Sequence, residues 1–110
     1  MASQQSTVDY LIEQLEGAGE VSARKMFGEY GVYCDGKIVA LVCDDQFYLK
    51  PTPEGRAFLG EVDEQPAYPG ARPSFLIDGG RWDDAEWMSD LVRVTAAALP
   101  MPKPKMGKRG

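Results

Sequence analysis

The chain has 110 residues, of which 44% are hydrophobic, 26% charged and 10% aromatic, with a net charge of −5; this is the size and make-up of one folded domain and excludes a disordered or membrane-embedded chain. It contains no histidine and only two cysteines, Cys34 and Cys43, which removes the usual general base, the Ser-His and Cys-His nucleophile pairs and any structural zinc site built from cysteine and histidine. Four of the twelve basic residues, Lys103, Lys105, Lys108 and Arg109, lie in the last ten positions, leaving eight bases against seventeen acids, or −9, in the first hundred; such an acidic body repels phosphate backbones, so strong autonomous nucleic-acid binding is not expected.

Residues 1–6 read as a flexible N-terminus. Met1 to Tyr10 has neither the basic start nor the apolar run of a signal peptide or membrane span. The longest apolar stretch, Ile38 to Cys43, suits a buried strand and is far too short to cross a bilayer. No membrane insertion is expected, and the cytoplasm is the expected location. Val8, Leu11, Ile12 and Leu15 then fall at i, i+3, i+4 and i+7, the spacing of one apolar helical stripe. Ser6 or Thr7 can cap this helix and Gly17 can end it, which predicts a helix over about 7–16.

From Arg24 to Lys50 the chain turns to branched and aromatic residues interrupted by turn signals. Asp35-Gly36 is a strong two-residue hairpin signal, because a type I′ turn needs positive φ at both positions, and Asp44-Asp45 is a weaker second one. Together they predict an antiparallel meander with strands over about 25–34, 37–43 and 46–50. Gly28 and Gly31 in the first of these read as a bulge that bends the strand, and their spacing is not that of a phosphate-binding loop.

A two-residue first turn places Cys34 opposite Lys37, Val32 opposite Val39 and Tyr30 opposite Leu41, and opposed residues share a face. One face then carries Tyr30, Val32, Val39, Leu41 and Tyr48 beside two lysines; the other carries Tyr33, Ile38, Ala40, Val42, Phe47 and Leu49. The second is the purer hydrophobic face and is assigned to the helix-covered core. The first is left semi-exposed, and its large apolar side chains are expected to bury against a second copy or a partner. The alternative is that a helix of the same chain covers it, since a one-residue slip exchanges the two faces.

Thr52-Pro53-Glu54 is a compact helix start, with Thr52 as cap, Pro53 at the first helical position and Glu54 near the positive end. Gly60 closes this helix. Residues 61–72 read as loop with room for one short strand, and 73–78 as an edge or terminal strand with its proline at the start. Asp83 or Asp84 caps a last helix whose broad apolar stripe is Trp87, Leu91, Val94 and Ala98 flanked by Met88, Val92, Thr95 and Leu99, stopped by Pro100. Pro100, Pro102 and Pro104 make 101–110 a mobile basic tail, capable of only weak, salt-dependent contact with nucleic acid.

Other clusters take structural readings. A strand separates Cys34 from Cys43 by roughly 20 Å, too far for an internal disulfide, so both read as sheet thiols. Asp78, Asp83, Asp84 and Glu86 sit where a helix start favours negative charge, and helix capping accounts for them better than a metal. Neither a catalytic constellation nor a metal or cofactor site is expected.

The run Lys25-Met26-Phe27-Gly28-Glu29-Tyr30-Gly31-Val32-Tyr33, then Asp35-Gly36-Lys37, then Phe47-Tyr48-Leu49-Lys50 resembles the N-terminal domain of the TfoX/Sxy competence regulators. The Pro73-Ser74-Phe75 strand and the closing helix fit as well, so the likeness covers about residues 7–100. It implies an α+β domain of two layers, an antiparallel sheet covered by helices in the order α-β-β-β-α-β-β-α, with a secretion-chaperone-like outline. In full-length members a second, helical domain follows, and the pair promotes transcription of DNA-uptake genes together with the cyclic-AMP receptor protein. This sequence ends at Gly110, so a stand-alone N-terminal domain is expected, and only a regulatory or protein-contact role is carried over.

The expected function is therefore a non-enzymatic cytoplasmic interaction module acting by self-association or partner docking through Tyr30, Val32, Val39, Leu41 and Tyr48. The alternative is a small-ligand binder with a pocket between the sheet and the loop from Gly60 to Gly80, lined by Tyr33, Tyr68 and Trp82.

Overall fold

A computed structural model describes residues 4–26 and 29–100. Its order is α1 (Gln5–Gln14), β1 (Val21–Met26), β2 (Glu29–Cys34), β3 (Lys37–Cys43), β4 (Gln46–Leu49), α2 (Pro53–Leu59), β5 (Asp63–Pro66), β6 (Pro73–Ile77) and α3 (Ala85–Ala98). The six strands form one antiparallel sheet in the order β1-β2-β3-β4-β6-β5. The two-layer α+β class holds, with four strands rather than three before α2. The predicted first strand is in fact a pair: Val21 opposes Cys34 and Met26 opposes Glu29. The Gly28 bulge reading falls outside the described residues.

Local signals account for most element ends. Asp35 and Gly36 have φ of 52° and 85°, the left-handed pair that matches the twist of a tight hairpin. Asp44 and Asp45 repeat that geometry at 54° and 59°. Thr52 accepts a hydrogen bond from the Gly55 amide at 2.9 Å, and Asp84 accepts one from the Trp87 amide at 3.1 Å, so both caps act on otherwise orphaned helix donors. At α1 the expectation was off by two residues: the helix starts at Gln5, after Gln4, and no side chain caps it. Among the described residues no helix is long and apolar enough to cross a membrane.

The principal departure lies in the register of β2 and β3. Cys34 pairs with Lys37 and Tyr33 with Ile38, as the turn dictates, but Val32 pairs with Ala40 and Tyr30 with Val42. Val39 is the extra residue of a bulge in β3, not in the strand that holds Gly31. Beyond it every β2 side chain meets the opposite row of β3 from the one expected. Tyr30, Val32 and Val39, expected on the semi-exposed face, are therefore on the helix-covered side, and Tyr33 and Ile38, expected in the core, are on the open one.

The physical cause is a phase conflict between two hairpins. The second hairpin pairs Ala40 with Leu49 and Val42 with Phe47, so its apolar row is the even positions of β3. In β2 the more apolar row is Tyr30, Val32 and Cys34. A regular first hairpin would align that row with Val39 and Leu41, and so with the wrong face of β4. One extra residue at Val39 brings both rows to the same side, where α1, α2 and α3 cover them.

That side is the core. Val32, Cys34, Val39, Val42, Phe47 and Leu49 are fully enclosed, together with Leu11, Leu15, Met88, Leu91 and Val92 of the helices. The helices are tied to one another and to the sheet. Ser89 donates to the Gln14 carbonyl at 3.0 Å, Lys37 donates to the Ala96 carbonyl near the end of α3 at 2.8 Å, and the Phe58 and Trp87 rings of α2 and α3 lie 5.9 Å apart.

Candidate docking face

Among the described residues all three helices lie on one side, and the opposite side of the sheet carries none. Its middle is an apolar row built by the ladder itself: Leu41 of β3 opposes Tyr48 of β4, which opposes Leu76 of β6. Tyr33 and Ile38, a directly opposed pair, extend it toward β2. Leu41, Tyr33, Ile38 and Leu76 are half-buried, while Tyr48 is only 8% exposed. The Arg24 guanidinium stacks over the Tyr33 ring at 5.6 Å and closes the row toward β1.

Of the five expected interface residues, the structure keeps Leu41 and Tyr48 on this face. Tyr30 is buried under α1, where its hydroxyl donates to Gln5 Oε1 at 2.9 Å; Val32 and Val39 have no exposed surface. Leu76 belongs to the face and was missed. Its signal was the alternation Ser74, Leu76 against Phe75, Ile77, in which only the second pair is fully core.

The chain between β5 and β6 forms a wall beside the row. Tyr68, 56% exposed, together with Ala71, Arg72 and Pro73, faces Ile38, Leu41 and Tyr48 across a groove of about 530 Å³. This is where a pocket between sheet and loop was expected, but only Tyr68 of its three predicted residues lines it. Tyr33 stands outside it on β2. Trp82 lies elsewhere, its indole donating to the Ile77 carbonyl at 3.2 Å and its own carbonyl accepting from Gln14.

Lys50 and Arg72 also line this groove, and no carboxylate is found in its walls among the described residues. A second depression, between α2 and β5–β6, mixes Arg56 and Arg81 with Glu61, Asp63 and Asp78. There the cations are engaged, Arg56 with Glu64 and Arg81 over the Trp87 ring at 4.7 Å.

The remaining candidates take structural places. Cys34 sits in the core and its thiol contacts the Ala18 carbonyl at 3.7 Å; Cys43 lies on the open side but is 5% exposed. Burial pushes both thiols above their ordinary range, with nearby acids adding to the effect. Asp83 accepts from the Tyr10 hydroxyl and so ties α1 to the approach of α3, while Asp84 is the α3 cap. Among the described residues no three acidic or thiol groups converge as a metal site.

The profile of the TfoX N-terminal domain matches residues 13–99, most of the chain. The chain belongs to the TfoX N-terminal domain family. A similar protein is an uncharacterized 12.7 kDa protein encoded in the trpE 5′ region of Spirochaeta aurantia, 40% identical over 108 residues, which cover 98% of this chain and 93% of that one. The matched segment spans the whole sheet, so the open row of this TfoX-type domain is part of the unit that the family defines.

Proposed function

We propose that this TfoX-type domain is a non-enzymatic, cytoplasmic, competence-regulator-like module that works by docking a protein through the helix-free side of its sheet, in the first instance a second copy of itself. The carrying observation is the contiguous row Tyr33, Ile38, Leu41, Tyr48 and Leu76 on the side that no helix covers among the described residues. An antiparallel sheet with one face in water ordinarily alternates to polar residues there, and a run of large apolar side chains is what an interface supplies. Family membership supports a regulatory role, and the absence of histidine agrees with a module that performs no chemistry.

The test is size-exclusion chromatography with light scattering. The wild-type chain is expected to run as a dimer, and Leu41→Glu, at a half-buried position outside the core, is expected to give a folded monomer. A wild-type protein that stays monomeric at every attainable concentration overturns the self-association reading.

A second reading is favoured by the groove beside Tyr68: its volume of about 530 Å³ falls within the range of small-molecule sites.

A further inference from the structure

We infer that the groove between the open sheet face and the segment carrying Tyr68 and Arg72 binds a small apolar carboxylate, its hydrocarbon or aromatic part against Ile38, Leu41 and Tyr68 and its carboxylate between Lys50 and Arg72. Three independent observations converge on this chemistry.

The first is charge. The protein as a whole carries −5, yet among the described residues the charged side chains lining this groove are two cations. Neither Lys50 nor Arg72 makes an ion pair or side-chain hydrogen bond among the described residues, whereas Arg56 and Arg93 are paired with Glu64 and Asp90. Two unpaired cations beside apolar walls make a local positive field in an otherwise acidic molecule, and the guanidinium offers the planar fork that a carboxylate accepts from.

The second is size and lining. A groove of about 530 Å³ with walls of Ile38, Leu41, Ala71 and Pro73 matches sites that bury a compact apolar ligand and orient it with a few polar groups. The third is Tyr48. It lines the groove and is only 8% exposed, yet its hydroxyl has no hydrogen-bond partner among the described residues. A tyrosine hydroxyl with no protein partner at a groove wall is free to donate to an acceptor that enters the groove. Burial also holds this phenol above its ordinary range, which keeps the proton on it. The groove shares Ile38, Leu41 and Tyr48 with the proposed docking row, so the carboxylate and a second copy compete for these side chains.

The experiment is an amide chemical-shift titration of the full chain with three probes of one shape: phenylbutyrate, its neutral amide and the corresponding phenylbutylamine cation. Phenylbutyrate is expected to shift signals of Leu41, Tyr48, Lys50, Tyr68 and Arg72 in a saturable way. The amide is expected to bind at least about tenfold more weakly, the factor carried by one charge-assisted hydrogen bond, and the cation more weakly still. The doubly substituted Lys50→Gln, Arg72→Gln protein changes only exposed positions; its dispersed spectrum reports a retained fold, and its preference for the carboxylate is expected to vanish. Equal binding of all three probes, an undiminished preference in the double variant, or no saturable shift at these residues overturns the inference. Light scattering on the same samples reports self-association separately, so loss of the dimer and loss of the ligand are read independently.

Discussion

Val32 pairs with Ala40 while its neighbour Tyr33 pairs with Ile38, which leaves Val39 unmatched and pressed into the core with no exposed surface. Two residues further on, Leu41 lies on the opposite side of the sheet. This pair of positions separates what holds the molecule together from what it presents. Val39→Asp buries an unpaired carboxylate and is expected to unfold the protein, a cost of about 4 kcal/mol or more. Leu41→Asp is expected to cost only about 1–2 kcal/mol and to leave a folded chain. Circular dichroism melts of the two variants check the contrast; equal effects would mean that the two positions share a face.

Gly55 lies in the first turn of α2, where glycine is ordinarily replaced by alanine with a gain. Here a Cβ would stand 2.9 Å from the Thr52 hydroxyl oxygen that caps the helix, and 3.4 Å from that of Thr95 on α3. Both hydroxyls are held, Thr52 by the Gly55 amide and Thr95 by the Leu91 carbonyl. Gly55→Ala is therefore expected to destabilise by about 1–3 kcal/mol, against the helix-propensity sign. Urea denaturation measures it, and a stabilised variant would show that α2 can move off α3.

Lys37 follows the first tight turn and reaches the last turn of α3, where its ammonium meets the Ala96 carbonyl at 2.8 Å. A cation at a helix C-terminus interacts with both a last-turn carbonyl and the helix dipole. Lys37→Met keeps most of the stem and removes the charge, so a loss of about 1 kcal/mol is expected, with the melting temperature falling by about 4–8 °C. Lys25→Met, at an exposed position on β1, is the control and is expected to change stability by less than about 0.5 kcal/mol.

Alkaline pH should weaken the fold. Cys34 and Cys43 are pushed above the ordinary thiol value of 9.0, chiefly by burial, and Tyr48 is raised by the same cause. Because each proton leaves the unfolded chain at lower pH than the folded one, the native state holds more protons in that window. The stability these groups contribute is thus intact below the ordinary thiol value and lost as pH climbs through the raised one. Urea midpoints are expected to fall from pH 8 to pH 10, less steeply in a Cys34→Ala, Cys43→Ala protein. At neutral pH both thiols are expected to react with Ellman's reagent only as fast as the chain opens.

How much of this was legible in the chain depends on the range of the interaction concerned. The Asp35-Gly36 turn, the Thr52-Pro53 start, the Asp84 cap and the stripes of α1 and α3 were readable because each is decided within a few residues, by sterics or by a hydrogen bond to a nearby amide. The family resemblance was likewise carried by short segments around these same turns. The open apolar row was half legible: Leu41 and Tyr48 were placed on it by the second hairpin, whose register needs only its own turn.

Tyr30, Val32 and Val39 went to the wrong side because their placement depends on whether two hairpins agree in phase, and that is settled only when α1 and α3 lie across both. The division of 21–34 into two paired strands is instead local, Met26 opposing Glu29; it was missed because the glycines of this run were read as a bulge within one continuous strand. Lys50 and Arg72, twenty-two positions apart, meet at one groove only because β6 inserts beside β4 and carries the preceding segment across the open face. Local order was therefore written in neighbouring residues, while the identity of the exposed face and the gathering of its charges came from packing, which no short window of sequence contains.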